Sequence, residues 1–402
     1  MKKKFKMKEN KINSLDYGPH KSLSIYIHIP FCDVICPYCD FNKFSKVDNL
    51  IPEFVDSIIN EIELRSIKNT NIESLSFGGG TPSYLSNKDF ELIFHSLKEN
   101  FNFNQNIEIS IEVNPKDINL EKVSLYEDLG INRISIGGQS FDDNILKKLG
   151  RNHNSIELIN SLNLLKNKDF NNINLDLIYG VPGQSIETWE DSINKFIEFC
   201  FPHLSAYQLT YEPKTKFHRD LFANKITELG DETIVKMFGV LNSILLDYGY
   251  QNYEISNWSK PKMESVHNMR YWKKYDYLGF GPGASSFYEN KRKTNIKSLK
   301  KYINNLKSSI LEFEEDYTLN KKDNLIEGIM LDLRLSSGIN HNEFNKKFDL
   351  DFNDKFFHLI KKLRDLKLIR NDNEKTILTQ KGKLLSDSIF VLFQEEINTI
   401  SF

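Results

Sequence analysis

The sequence predicts an α/β protein: a partial, open (β/α)6 barrel with a small C-terminal winged-helix-like α+β domain. Three observations predict it. Strand-like and helical runs alternate through the first half of the chain, which implies a parallel sheet with helices outside. The strand runs carry Val, Ile and Leu on both faces, as a sheet covered by helices requires. From about Lys291 the alternation gives way to charged amphipathic helices and a hairpin.

The first strand is expected over Leu23–Ile29, a β-branched and aromatic run stopped by Pro30. Further strands are expected at Ser74–Phe77, Ile107–Val113, Arg133–Ile136, Ile173–Ile178 and Leu204–Leu209. Helical patterns lie between them near Pro52–Ile67, Asn87–Glu99, Leu120–Leu129, Asp142–Leu149, Ser155–Lys166 and Ile186–Cys200. Six such units are too few to close a typical eight-stranded barrel, and in barrels of this kind chemistry sits at the C-terminal ends of the strands.

A long helix is expected over Asp231–Tyr250. YEISNWS (Tyr253–Ser259) and HNMRYWKKYDYLGFGPGASSF (His267–Phe287) then read as loops and short strands, rich in aromatics and Gly. Helices over Asp323–Leu335, Asn342–Phe348 and Asp354–Leu366 precede a hairpin around Asn371–Glu374 and a last helix from Gln380 to about Phe393. The expected division is a basic, disordered tail over 1–20, a core over 21–250, an aromatic and Gly-rich extension over 251–290 and a helical domain over 291–402. The winged-helix outline lacks a concentrated basic face, so packing against the barrel mouth or docking a partner is expected rather than DNA binding.

The 402 residues are 40% hydrophobic and 27% charged, ordinary for a globular protein. A net charge of −2 gives no electrostatic case for nucleic acid. No apolar run approaches the roughly 18–20 residues that span a bilayer. The start, MKKKFKMKENK, is basic with no apolar stretch after it, so it is expected to make at most a peripheral membrane contact. These features predict a cytoplasmic protein.

The first strand runs into Cys32, Cys36 and Cys39, spaced C-x3-C-x2-C. Such a loop offers three thiolates to one small volume. A [4Fe–4S] cube usually takes four Cys, so three leave one iron open to bind a small molecule. Structural zinc is the competitor, but it wants four N/S ligands, and no second Cys/His pair lies nearby; His28, on the strand, is an awkward fourth. Three clustered cysteines without a secretory segment argue against a disulfide. Cys200, among Phe and Ile at a helix end, is expected to be a buried core thiol.

The strings YIHIPFC, GGGTPS (Gly78–Ser83), IEVNP (Ile111–Pro115), GGQSF (Gly137–Phe141), LGRNH (Leu149–His153) and LDLIYGVPGQS (Leu175–Ser185) follow in order. With the cysteine spacing they resemble the radical S-adenosylmethionine (SAM) superfamily, and within it the oxygen-independent coproporphyrinogen III oxidase family, from about Tyr17 to the C-terminus. The resemblance makes the core a radical-SAM barrel. It implies a [4Fe–4S] cluster on Cys32, Cys36 and Cys39, whose open iron chelates the amino and carboxylate groups of SAM. It also implies SAM contacts from Gly79, Gly80 and Thr81, with Tyr26 against the cluster and SAM. Glu112 would hold SAM, while Gln139, Arg151 and Asp176 would contact a second SAM or a nearby ligand. Taken singly, Arg151 and Asp176 also fit a structural ion pair, and Gln139 a helix cap.

Two departures from the oxidase are similar to the HemW-type heme chaperones of that family. The oxidase-type loop has a further cysteine two residues after the third, where this chain has Phe41, and only about twenty residues precede the first strand. HNMRYW matches an H-N-x-x-Y-W string linked to heme, which implies heme binding by His267, Asn268, Tyr271 and Trp272. A neutral imidazole suits heme iron, and Tyr and Trp offer flat faces to a porphyrin. A His beside aromatics also fits plain packing. The family's GxGA-type loop usually continues with His, but Ser285 follows Ala284 here. The expectation is a heme chaperone that delivers heme to an acceptor hemoprotein, with an electron donor such as a flavodoxin or ferredoxin and room for a homodimer. The alternative is radical decarboxylation of coproporphyrinogen III.

Overall fold

The computed structural model describes residues 22–67, 70–168 and 170–399. The expected basic tail over 1–20 lies outside them. Six parallel strands alternating with helices form the core: β1 (Ser22–Ile29), α1 (Ile51–Leu64), β2 (Asn71–Gly79), α2 (Asn87–Asn100), β3 (Asn102–Val113), α3 (Leu120–Leu129), β4 (Arg133–Gln139), α4 (Asp143–Lys148), α5 (Ser155–Asn167), β5 (Ile173–Tyr179), α6 (Ile186–Phe199) and β6 (His203–Gln208). Local chemistry sets their limits. Ser86 and Ser185 cap α2 and α6, Asn154 and Glu157 make a reciprocal capping box at α5, and Gly130 ends α3 in the left-handed conformation.

The chain continues through α7 (Lys216–Phe222), α8 (Asp231–Asp247), β7 (Gln251–Glu254), β8 (Asn257–Ser259), α9 (Val266–Trp272), β9 (Tyr277–Phe280), β10 (Ser285–Tyr288), β11 (Lys291–Asn295), α10 (Leu299–Lys307) and β12 (Phe313–Thr318). One sheet holds all 12 strands named so far, in the order β12-β11-β10-β9-β1-β2-β3-β4-β5-β6-β8-β7. β1 to β6 are parallel in sequence order, and β9 joins β1 in parallel. The hairpin β7–β8 adds antiparallel to β6, so β1 and β6 never pair and the barrel stays open. Ile25, Ile27 and Ile29 of β1 are fully buried toward the helices, while Ser24, Tyr26 and His28 alternate onto the other face.

Two expectations change here. HNMRYW is helical, not loop or strand: it is α9, started by the Ser265 side chain accepting from Asn268 N–H. Residues 291–318 belong with the barrel, because β11 and β12 extend its sheet and α10 packs Leu299, Tyr302, Ile303 and Leu306 into its core.

The C-terminal domain follows as α11 (Lys321–Arg334), β13 (Ile339–Asn340), α12 (His341–Phe348), α13 (Phe352–Lys355), α14 (Phe357–Asp365), β14 (Ile369–Asn371), β15 (Lys375–Leu378), α15 (Gln380–Leu384) and α16 (Ser386–Asn398). Its three strands pair in the order β13-β15-β14, the wing of the expected winged-helix outline. It has its own core, centred on Leu325, Phe344, Phe352, Phe356 and Phe393. It meets the barrel at β7, where Ser336 N–H donates to the Tyr253 carbonyl at 2.9 Å and Glu254 bridges Leu335.

Candidate functional site

Pro30 ends β1, and two backbone bonds close the loop that follows: Phe44 N–H to the Pro30 carbonyl at 2.7 Å, and Cys32 N–H to the Phe44 carbonyl at 3.0 Å. Cys32, Cys36 and Cys39 are half-buried free thiols on this loop, and all line a cavity of about 670 Å³ at the C-terminal ends of the barrel strands. Thr81 Oγ1 donates to Cys32 Sγ at 3.4 Å, and Arg151 donates to Cys36 Sγ at 3.5 Å. Burial pushes the Cys32 thiol up to about 11 and raises Cys39. Thiolates there therefore need positive charge, which a bound metal cluster brings and the Arg151 guanidinium supplements. His28 is no fourth ligand as placed, since Tyr26 Oη lies 3.0 Å from its Nδ1 and the Asn42 carbonyl 2.7 Å from its Nε2. Among the described residues, no three His, Cys, Asp or Glu converge to hold a single metal ion. A cube of several irons asks its thiolates to surround a volume instead, and the donor set fits one.

The glycine turn after β2 is pressed against this loop. Gly80 N–H donates to the Ile29 carbonyl and Thr81 N–H to the Phe31 carbonyl, both at 2.8 Å. A side chain at Gly80 would meet the Ile29 and Phe31 carbonyl oxygens at 2.8 Å, and one at Gly79 the His28 ring at 2.4 Å. Gly79 also has φ +107°, a conformation that costs an L residue dearly. Gly79, Gly80 and Thr81 all line the cavity.

Glu112, on β3, points into the cavity and accepts from Gly79 N–H at 3.2 Å. It is open to the cavity yet ringed by protein, and that burial, with repulsion from Asp176, pushes its carboxyl up to about 7. Asp176, raised by burial, is held by Ser135 Oγ at 3.2 Å and Asn174 Nδ2 at 2.7 Å. Arg151 instead donates to the Gly137 carbonyl at 2.9 Å, so Arg151 and Asp176 are not the ion pair their charges allow. Gln139 caps no helix: it ends β4 at φ +65°, where the register with β5 shifts, and lines the cavity with Arg151 and Asp176.

The other expected residues sit elsewhere. Tyr26 faces inward on β1 but is not among the cavity-lining residues; its hydroxyl is engaged by His28. α9 crosses the opposite, N-terminal end of the strands. Glu108, in the middle of β3, accepts from the Val266 and His267 backbone N–H groups at 3.1 and 2.8 Å. His267 is 3% exposed, with Ser74 Oγ 2.8 Å from Nδ1 and Tyr271 Oη 2.8 Å from Nε2. Neither ring nitrogen is free, so the expectation that His267 presents an imidazole to heme iron is not met in this conformation. Asn268 and Trp272 are half-buried on the same helix, and the Arg334 guanidinium lies 4.4 Å from the Trp272 ring centre. Cys200 is exposed, not a core thiol: it caps α6 in the left-handed conformation, which turns its side chain out of the helix packing.

Sequence reasoning missed several cavity residues. Tyr38, inside the cysteine loop, lies beside Cys36 and Arg151. Tyr207, two residues past Ser205 on β6, shares that strand's inward face. Strand alternation was the available signal for Tyr207. Arg334 and Lys383 reach the cavity from the C-terminal domain, and no local pattern marks them.

A half-open parallel barrel with three thiols, a glycine turn and inward carboxylates at one end defines a radical SAM protein, and the Radical SAM superfamily model matches residues 26–196. The HemN C-terminal domain model matches residues 319–385, which agrees with a domain starting after β12. The heme chaperone HemW of Bacillus subtilis is 32% identical over 378 residues, covering 93% of this chain and 100% of that protein. HemW of Lactococcus lactis is 34% identical, covering 93% and 97%. The solved structure of Escherichia coli coproporphyrinogen III oxidase, HemN, described as a radical SAM enzyme, superposes with a TM-score of 0.82 at 26% identity, covering 94% of this chain and 91% of that one. The chain belongs to the HemW heme chaperone family. No helix among the described residues is long and apolar enough to cross a membrane.

Proposed function

We propose that this protein binds heme in the cavity at the barrel mouth and hands it to an acceptor hemoprotein, with a [4Fe–4S] cluster on Cys32, Cys36 and Cys39 and SAM beside it. The observation that carries the reading is one shared cavity. The cysteine loop, the Glu112–Asp176 carboxylates and the C-terminal domain all line the same space of about 670 Å³, near the middle of the roughly 300–1,000 Å³ typical of small-molecule sites. Ile178, Tyr179, Leu209, Phe238 and Ile255 give part of it an apolar lining suited to a flat ring system. The names of the heme chaperone relatives support the same ligand.

When bound, the cluster and SAM supply a one-electron reductant and a cleavable sulfonium. The chain's own groups bind and orient. Glu112, fixed by Gly79 N–H, would hold the amino group of SAM. Thr81 and Arg151 hold Cys32 and Cys36 and offset thiolate charge. Gln139 and Asp176 offer polar contacts deeper in the bore. HNMRYW acts from below: His267 and Tyr271 brace the barrel floor, and Trp272 reaches the cavity wall through Arg334. A flavodoxin or ferredoxin is the proposed class of electron donor.

Anaerobic titration of the reconstituted protein with heme, read as Soret absorbance, tests the reading: saturation near one heme per chain is expected, and no specific binding overturns it. The second reading, coproporphyrinogen III oxidase activity, is favoured by the superposition on HemN. Phe41 stands against it, because the oxidase-type loop has a cysteine there. Robust protoporphyrinogen formation under reducing, anaerobic conditions would establish that second reading.

A further inference from the structure

Where the C-terminal domain meets the barrel, two cations from different elements line one wall of the cavity. Arg334 is the last residue of α11, and Lys383 lies on α15. The Arg334 guanidinium carbon lies over the Trp272 ring, 4.4 Å from its centre, and its Nε faces Glu254 Oε2 as an ion pair at 3.3 Å. Its terminal N–H groups have no hydrogen-bond partner among the described residues, and its side chain is 31% exposed on a cavity wall. Lys383 Nζ donates to Asn252 Oδ1 and, at 2.7 Å, to Ser336 Oγ, which leaves one ammonium hydrogen unused. Burial lowers it to about 8 while Glu254 opposes the shift, so it stays largely charged at neutral pH. Glu254 is fully buried and shared with Asn257. Asp387 lines the same wall but pairs with neither cation. The strand-end walls of the cavity carry the opposite sign, in Glu112, Asp117 and Asp176.

We propose that Arg334 and Lys383 form a carboxylate subsite that takes the propionates of the bound tetrapyrrole, and that Trp272 is the positioning residue that holds Arg334 toward it. The inference rests on the heme reading above. The chemistry fits: a guanidinium fork with free terminal donors matches a carboxylate in a bidentate way, and an ammonium adds a point charge beside it. It also gives HNMRYW a link to the cavity that does not require His267 to leave the barrel floor. The motif's histidine anchors α9, and its tryptophan, five residues on, presents a face to Arg334.

The test compares hemin with hemin dimethyl ester by Soret titration of the reconstituted full chain. The wild-type protein should bind hemin about tenfold or more tighter than the diester, the effect of one lost charge-assisted contact. Arg334→Gln and Lys383→Gln should each remove most of that preference and leave diester affinity unchanged. Trp272→Ala should act like Arg334→Gln, and Trp272→Phe, which keeps a flat face, should retain most of the preference. Equal wild-type affinity for hemin and its diester overturns the subsite and needs no variant to fold. A preference that survives both Arg334→Gln and Lys383→Gln overturns it as well. Wild-type protein that binds neither porphyrin overturns the heme reading and the subsite together.

Discussion

His267 Nδ1 lies 2.8 Å from Ser74 Oγ, across the end of the barrel opposite the cysteine loop. Ser74 Oγ in turn donates to Ser24 Oγ at 2.9 Å, and Arg270 of the same helix reaches Ser24 and the Ser22 carbonyl. The motif that resemblance links to heme is thus bonded into the starts of β1 and β2. It is part of the barrel floor.

Replacing His267 with Ala should cost about 2–4 kcal/mol, because two buried hydrogen bonds are lost and a cavity is left. Chemical denaturation measures this. The residue also carries a pH signature: burial, with Arg270 nearby, lowers its pKa from 6.5 to about 3. The unfolded chain then binds the proton more readily than the folded one, so this share of stability is present above pH 6.5 and is lost as pH falls toward 3. His153, lowered by burial to about 4, adds to the same acid lability. His267→Gln should flatten the stability profile below pH 6.5; an unaltered profile would remove His267 from the account.

The three loop cysteines and Cys200 should separate cleanly. Cys32→Ala, Cys36→Ala or Cys39→Ala should abolish the iron–sulfur absorbance of the reconstituted protein, whereas Cys200→Ser, exposed and far along the chain, should leave it intact. Cys200 sits at φ +60°, so Cys200→Gly should stabilise by about 0.5–1 kcal/mol. A full cluster in any of the three loop variants would refute the ligand assignment.

The same substitution should have opposite signs at two glycines. Gly79→Ala forces a side chain to 2.4 Å from the His28 ring at φ +107°, and should cost about 2–4 kcal/mol and SAM affinity with it. Gly239, exposed in the middle of α8, has open space around it. Gly239→Ala should stabilise by about 0.5–1 kcal/mol. Thermal denaturation of the pair checks both.

SAM affinity should depend on Glu112 ionisation. Its carboxyl is pushed up to about 7, first by burial and then by Asp176. Only the carboxylate attracts an ammonium group, so affinity should rise as pH passes through about 7, and Glu112→Gln should weaken binding and remove that rise. Stability runs the other way. A carboxyl raised above its unfolded value of 4.5 stabilises most below that value, and the contribution fades as pH climbs through about 7. Free of SAM, Glu112→Gln should therefore match or exceed the wild type in stability at pH 8. Equilibrium dialysis with SAM and denaturation at two pH values read the two effects.

The amino-acid sequence by itself determined the barrel. β-branched and aromatic runs such as Leu23–Ile29 and helical patterns such as Ser155–Lys166 are local signals, and the alternation of strands and helices was legible from them, as was the placing of Cys32, Gly79, Glu112 and Gln139 at strand ends. The tertiary structure alone decided what depends on distant partners. HNMRYW is helical because Ser265 caps it and Glu108, far back on β3, accepts from its first N–H groups. β9 lies beside β1, and β11–β12 extend the barrel sheet, because strand edges are matched in space rather than along the chain. Arg151 turned to Cys36 and Gly137 rather than to Asp176, and Arg334 and Lys383 came to the cavity from another domain. Local periodicity reports which face of an element is apolar; which elements then meet depends on long-range burial and hydrogen-bond satisfaction, which no short window of sequence contains.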